Sequence, residues 1–99
     1  MLLELSVSPK GKRQQVSDTA AEVSKIIDVS GLRIKGTAQG TVLEGSWEQL
    51  MAVAKKCHDA VLKKHDHITT VMRAVDSTSA RSAKELQDSL EDDGEWLML

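Results

Sequence analysis

The 99-residue chain has no phenylalanine, no tyrosine and no asparagine, and only two tryptophans, one proline and one cysteine. Without Phe or Tyr, its core must be built from Leu, Val, Ile, Met and Ala. The same absence argues against an RNA-recognition sheet, which stacks bases on strand aromatics. A lone Cys57 excludes an internal disulfide and fits a reducing compartment, so a cytoplasmic location is expected. No apolar run approaches the length of a membrane span, and Glu4 interrupts the apolar start that a signal segment would need. With a net charge of -2 the chain lacks the basic footprint of a nucleic-acid binder. There is no Walker loop, no dinucleotide fingerprint and no Cys-x-x-Cys pair. Neither a nucleic-acid nor a membrane partner is expected, and no cofactor.

The remaining pattern is regular. Residues 2–9 alternate with period two, Leu3, Leu5 and Val7 against Glu4, Ser6 and Ser8, and Pro9 ends the strand. Residues 17–30 read as a helix, with Val16, Ala20, Val23 and Ile27 on one stripe, Ser17 as a candidate N-cap, Thr19 with Glu22 as a competing capping box and Gly31 as the stop. Two strands follow at 32–37 and 41–46, with Gly40 punctuating a hairpin. In the first of these, Arg33, Lys35 and Thr37 alternate with Leu32, Ile34 and Gly36. The clearest helix spans 47–64, capped by Ser46, with Leu50, Val53, Ala54, Cys57 and Val61 as its apolar stripe. Residues 67–75 read as a fourth strand. A Ser82/Glu85 capping box predicts a last helix over 82–91 with Ala83, Leu86 and Leu90 inward.

This order is β-α-β-β-α-β plus a helix. The fold class is α+β, a ferredoxin-like βαββαβ sandwich with an additional C-terminal helix, in one domain over 1–94. Each strand offers apolar and polar groups on both sides, so the sheet face away from the helices should be covered by a second subunit or a ligand. A thin core with few aromatics also fits a homo-oligomer. The tail at 95–99, Glu-Trp-Leu-Met-Leu, is apolar enough to pack on the domain or on a neighbouring subunit.

No constellation suggests catalysis. Cys57 and His58 are adjacent on a helix and point in different directions, so they do not form a nucleophile–base pair. Cys57 lies on the apolar stripe. His58, His65 and His67 lack carboxylates or thiols at ligand spacing, so no metal site is expected. An acylphosphatase-like enzyme of this fold class would need an Asn, and none is present.

Several segments together carry a resemblance. Glu4-Leu5-Ser6-Val7-Ser8-Pro9 resembles the opening strand of the small thiamine-binding-protein-like (YkoF-like) family. Gly40-Thr41-Val42-Leu43-Glu44-Gly45, then Trp47 and Cys57-His58, is similar to its central pattern, and Ile68-Thr69-Thr70-Val71-Met72-Arg73 to its last strand. The Ser82 capping box stands where the family's final helix begins. The likeness spans residues 4–90. It departs after the last strand, at Val75-Asp76-Ser77-Thr78-Ser79, and before the turn, at Ala38-Gln39.

The resemblance implies a ferredoxin-like subunit in a homotetramer, a dimer of dimers, with a site for a small molecule such as thiamine or hydroxymethylpyrimidine. A cationic aminopyrimidine asks for a carboxylate, a few hydroxyls and an apolar wall. Glu44, in the densest part of the resemblance, is the first candidate carboxylate, and Glu4 the second. Ser6, Thr41, Thr70 and His58 are the other candidate ligand-binding residues. Each has a plainer reading: Glu4 and Glu44 as solvated strand residues or partners of Arg33 and Arg73, the threonines as strand formers, and His58 as a satisfied, half-buried histidine. The competing function is an oligomeric regulatory or interaction module with no physiological small ligand.

Overall fold

The computed structural model describes residues 1–10, 13–37, 39–78, 85, 86 and 88, with backbone only for 13–17. Its elements run β1 (Leu2–Pro9), α1 (Arg13–Ser30), β2 (Arg33–Thr37), β3 (Gly40–Glu44), α2 (Trp47–Leu62) and β4 (Ile68–Val75). The four strands form an antiparallel sheet in the order β2-β3-β1-β4. This is the ferredoxin-like α+β arrangement, with two βαβ halves interleaved so that β1 and β3 lie in the centre.

Local chemistry accounts for the element ends. The α2 start is a capping box: Gln49 N donates to Ser46 Oγ at 3.2 Å, and Ser46 N donates to Gln49 Oε1 at 2.9 Å. Helix α1 starts at Arg13, four residues before the expected 17, so Ser17 lies inside the helix and does not cap it. Arg13, Gln14 and Gln15 are good helix formers, so nothing stops the helix from extending backwards. It ends as expected at Gly31, which takes φ 72°, a left-handed conformation that suits glycine. Helix α2 ends at Leu62, before the two lysines that the periodicity had included.

Both helices cover one face of the sheet. Leu3, Leu5 and Val7 of β1, Leu43 of β3 and Ile27 of α1 pack with Leu50, Val53, Ala54, Cys57 and Val61 of α2. The α2 stripe is the one its 3.6-residue period marks. Each fully buried aliphatic contributes roughly 1.5–3 kcal/mol relative to exposure.

The opposite face carries a smaller apolar cluster. Leu2 and Val42 are buried there with Leu86, and Ile34 and Val75 pack around them. Of the helix expected over 82–91, only Glu85, Leu86 and Asp88 are described, and their backbone is helical. Ser82, Ala83, Leu90 and the 95–99 tail lie outside the described residues. One end of the second sheet face is therefore covered by Leu86 of this chain itself. No described helix is long and apolar enough to cross a membrane.

Strand β2 departs from simple alternation. Its pairing with β3 shifts between Arg33 and Lys35, where a bulge adds a residue. Arg33 consequently turns to the helix side, where it bonds Ser24 Oγ at 2.7 Å and pairs with Asp28 at 3.0 Å. Thr37 turns to the other side. The sequence alternation had placed these two residues on one face, and the bulge separates them.

Candidate functional site

Glu4 is the one acidic side chain buried among the described residues, at 8% exposure. It sits mid-way along central strand β1, opposite Val42 on β3 and Arg73 on β4. Its Oε2 accepts a hydrogen bond from Thr37 Oγ1 at 3.2 Å, and its Oε1 lies 3.6 Å from an Arg73 guanidinium nitrogen. Burying a carboxylate is costly unless it is paired and hydrogen-bonded, and these two groups meet that need. The Arg73 partnership is one of the plainer readings offered for Glu4 above.

Beside Glu4 the sheet has a notch. Strand β3 pairs with β1 only from Leu2 to Leu5, while β1 runs on to Pro9. Among the described residues no strand pairs with Ser6–Pro9 on that side. The tip of the β2–β3 hairpin and one side of α1 frame the gap as a cleft of about 310 Å³. Its polar lining is Ser6, Ser8, Ser24, Thr37, Gln39 and Thr41, and its apolar wall includes Leu5, Val7, Ala20 and Val23. Thr37 connects the two features, because it is among the cleft residues and its hydroxyl donates to Glu4. The same oxygen accepts from Gln39 N at 3.2 Å, which ties the turn to the site.

Gly40 makes the hairpin tip possible. Its φ is 156°, and a Cβ there would run into the Leu5 backbone carbonyl. The close approach of the hairpin to β1 at this point requires a residue without a side chain.

The six candidate residues fall into three places. Ser6 and Thr41 line the cleft, and Glu4 lies outside its lining, joined to it through Thr37. Glu44 stands at the other end of β3, opposite Leu2 and exposed. Along the strand it is about 10 Å from Thr41. His58 and Thr70 are under α2 on the helix side, with His58 Nδ1 and Thr70 Oγ1 2.7 Å apart. They line a separate crevice of about 250 Å³ with Met51 and Met72. His58 is thus a half-buried histidine with a hydrogen-bond partner. Thr37, Ser24 and Gln39 were not singled out from the sequence. The β2 register brings Thr37 to the cleft, the hairpin turn brings Gln39 and the packing of α1 brings Ser24, and none of these leaves a mark in residue type.

Chemically, the cleft offers hydroxyl donors and acceptors, an apolar wall and a carboxylate behind one hydroxyl. It suits a small polar ligand with an amine or a cationic ring, and its volume is at the low end for such sites. Cys57 does not line this cleft: it is fully buried, and burial pushes its thiol up to about 11. Native protein should therefore react with an aromatic disulfide reagent only as fast as it unfolds, with one thiol released in denaturant. Rapid reaction in the native state would contradict the burial.

The sequence family agrees with this architecture. The family model for thiamine-binding protein matches residues 3–91. The chain belongs to the thiamine-binding protein family. Over 61 residues it is 34% identical to a UPF0045 protein of Synechocystis, covering 62% of this chain and 50% of that protein. The match thus spans about half the length of that relative. A UPF0045 protein of Methanocaldococcus jannaschii is 28% identical over 73 residues, 74% of this chain and 73% of that one. The crystal structure of a Methanocaldococcus protein superposes with a TM-score of 0.74 at 22% identity, covering 91% of this chain and 94% of that one. A Thermotoga maritima protein, proposed to act in thiamine biosynthesis or salvage, gives a TM-score of 0.76 at 12% identity, over 90% and 96%. At these identities the structural likeness is one of fold.

Proposed function

We propose that the chain is a binding protein for thiamine or a related hydroxymethylpyrimidine, acting as an oligomer and without catalysis of its own. The observation that carries this reading is the buried Glu4 carboxylate behind a hydroxyl-lined cleft, in a chain of the thiamine-binding protein family. Ser6, Thr37 and Thr41 would hold the polar edge of the ligand, and Leu5 and Val23 would face its ring. Glu4 would accept from the exocyclic amine or balance the thiazolium charge. Glu4 is preferred here to Glu44 because it is linked to the cleft through Thr37, whereas Glu44 stands at the far end of β3. Calorimetric titration of the full chain with thiamine, its pyrimidine half and its phosphates tests the proposal. Saturable binding of at least one supports it. Silence across the panel at millimolar concentration would favour an interaction module with no physiological small ligand.

Assembly into a homotetramer, a dimer of dimers, belongs to the same proposal. The two outer strands differ in a way that suggests where a partner docks. Strand β2 is short, bulged and carries Arg33 and Lys35, all features that discourage edge pairing. Strand β4 is eight residues long and pairs without a bulge, and its outer edge meets no strand among the described residues. It exposes Val71 at 50% and Met72 at 48%. Val71→Lys with Met72→Lys is expected to lower the mass seen by light scattering while the fold is kept. An unchanged mass would place the interface elsewhere.

A further inference from the structure

One surface feature is used by neither the ligand site nor the β4 edge. Between α1 and α2 runs an apolar groove of about 510 Å³, lined by Ile26, Val29, Ser30 and Val53, with Lys25 and Lys56 at its rim. Val53 is buried at its floor, while Val29 is 88% exposed, the most exposed large hydrophobic among the described residues. Neither lysine forms an ion pair among the described residues. An apolar floor between unpaired lysines is the complement of a peptide that joins acidic residues to large apolar ones.

The chain contains one such sequence. Glu91, Asp92, Asp93 and Glu95 are followed directly by Trp96, Leu97, Met98 and Leu99. No other stretch combines this density of acids with four consecutive large apolar residues. We propose that residues 91–99 of a second copy occupy the α1–α2 groove, the acids meeting Lys25 and Lys56 and the apolar residues covering Ile26, Val29 and Val53. A second copy is favoured over the same chain because Leu86 packs with Leu2 and Val42 on the sheet face opposite the helices. This contact is independent of the ligand reading.

The test uses the full chain with a benzophenone amino acid in place of Leu97. Chains of natural and heavy nitrogen isotope are mixed, irradiated and mapped by mass spectrometry. Mixed-isotope products joined to the segments holding Val29 or Val53 are expected. Val29→Glu and Lys56→Glu, both at exposed positions, should each lower that yield several-fold with an unchanged circular dichroism spectrum. Links confined to one chain, links to other surfaces, no links, or a yield indifferent to both substitutions would each overturn the proposal.

Discussion

Replacing Glu4 by glutamine is expected to weaken binding of thiamine or its pyrimidine half by about tenfold to a hundredfold, the cost of one charge-assisted hydrogen bond at about 1.5–3 kcal/mol. The substitution keeps the shape of the side chain and an amide oxygen that can still accept from Thr37 Oγ1, now 3.2 Å from Glu4. What it removes is the charge that a ligand amine or thiazolium would meet. Glu44→Gln serves as the contrast, because Glu44 is exposed at the far end of β3. It should bind as the parent does. Calorimetry reads both, and thermal melting checks that Glu4→Gln remains folded despite the change beside Arg73. Equal affinities for parent and Glu4→Gln would remove Glu4 from the site. A loss with Glu44→Gln alone would move the site to the other end of the strand.

Gly40→Ala should produce the largest loss of stability by a small substitution. The backbone at Gly40 has φ 156°, where an L-residue is strained, and its new methyl group would meet the Leu5 carbonyl. Strain of the first kind costs about 1–3 kcal/mol. The second cannot be relieved by a rotamer change, since the obstacle is backbone of the central strand. The hairpin tip must move away from β1, which also opens the cleft. A fall in melting temperature of roughly 10–20 °C is expected for a domain of this size. Gly36→Ala is the control, because a Cβ there meets nothing within 4 Å. Equal melting temperatures for the two variants would show that the hairpin does not press on Leu5.

Helix α2 was legible because its Ser46 cap and its buried stripe are both local patterns, the stripe fixed by spacings of three and four residues. Strand β1 was legible to the residue because strict alternation and Pro9 coincide. The start of α1 was missed because Arg13, Gln14 and Gln15 are compatible with helix but carry no apolar period. In β2, Arg33, Lys35 and Thr37 look equivalent in sequence, yet the bulge sends Arg33 to Asp28 and Thr37 to Glu4. The candidate residues suffered in the same way. Ser6 and Thr41 share the cleft because β3 stops pairing at Leu5, Glu4 is reached only through Thr37, and His58 meets Thr70 across two elements. Such encounters depend on register, which no single segment encodes.

The central claim is that a thiamine-like molecule sits at the notch beside β1. Amide resonances of the isotopically labelled full chain, followed through a titration with thiamine, test it most directly. The account predicts that the largest shifts fall on Ser6, Val7, Ser8, Gln39, Gly40 and Thr41, with Thr37 among them and Glu44 unmoved. Shifts centred on Met51, His58 and Thr70, or no shifts at saturating ligand, would contradict it.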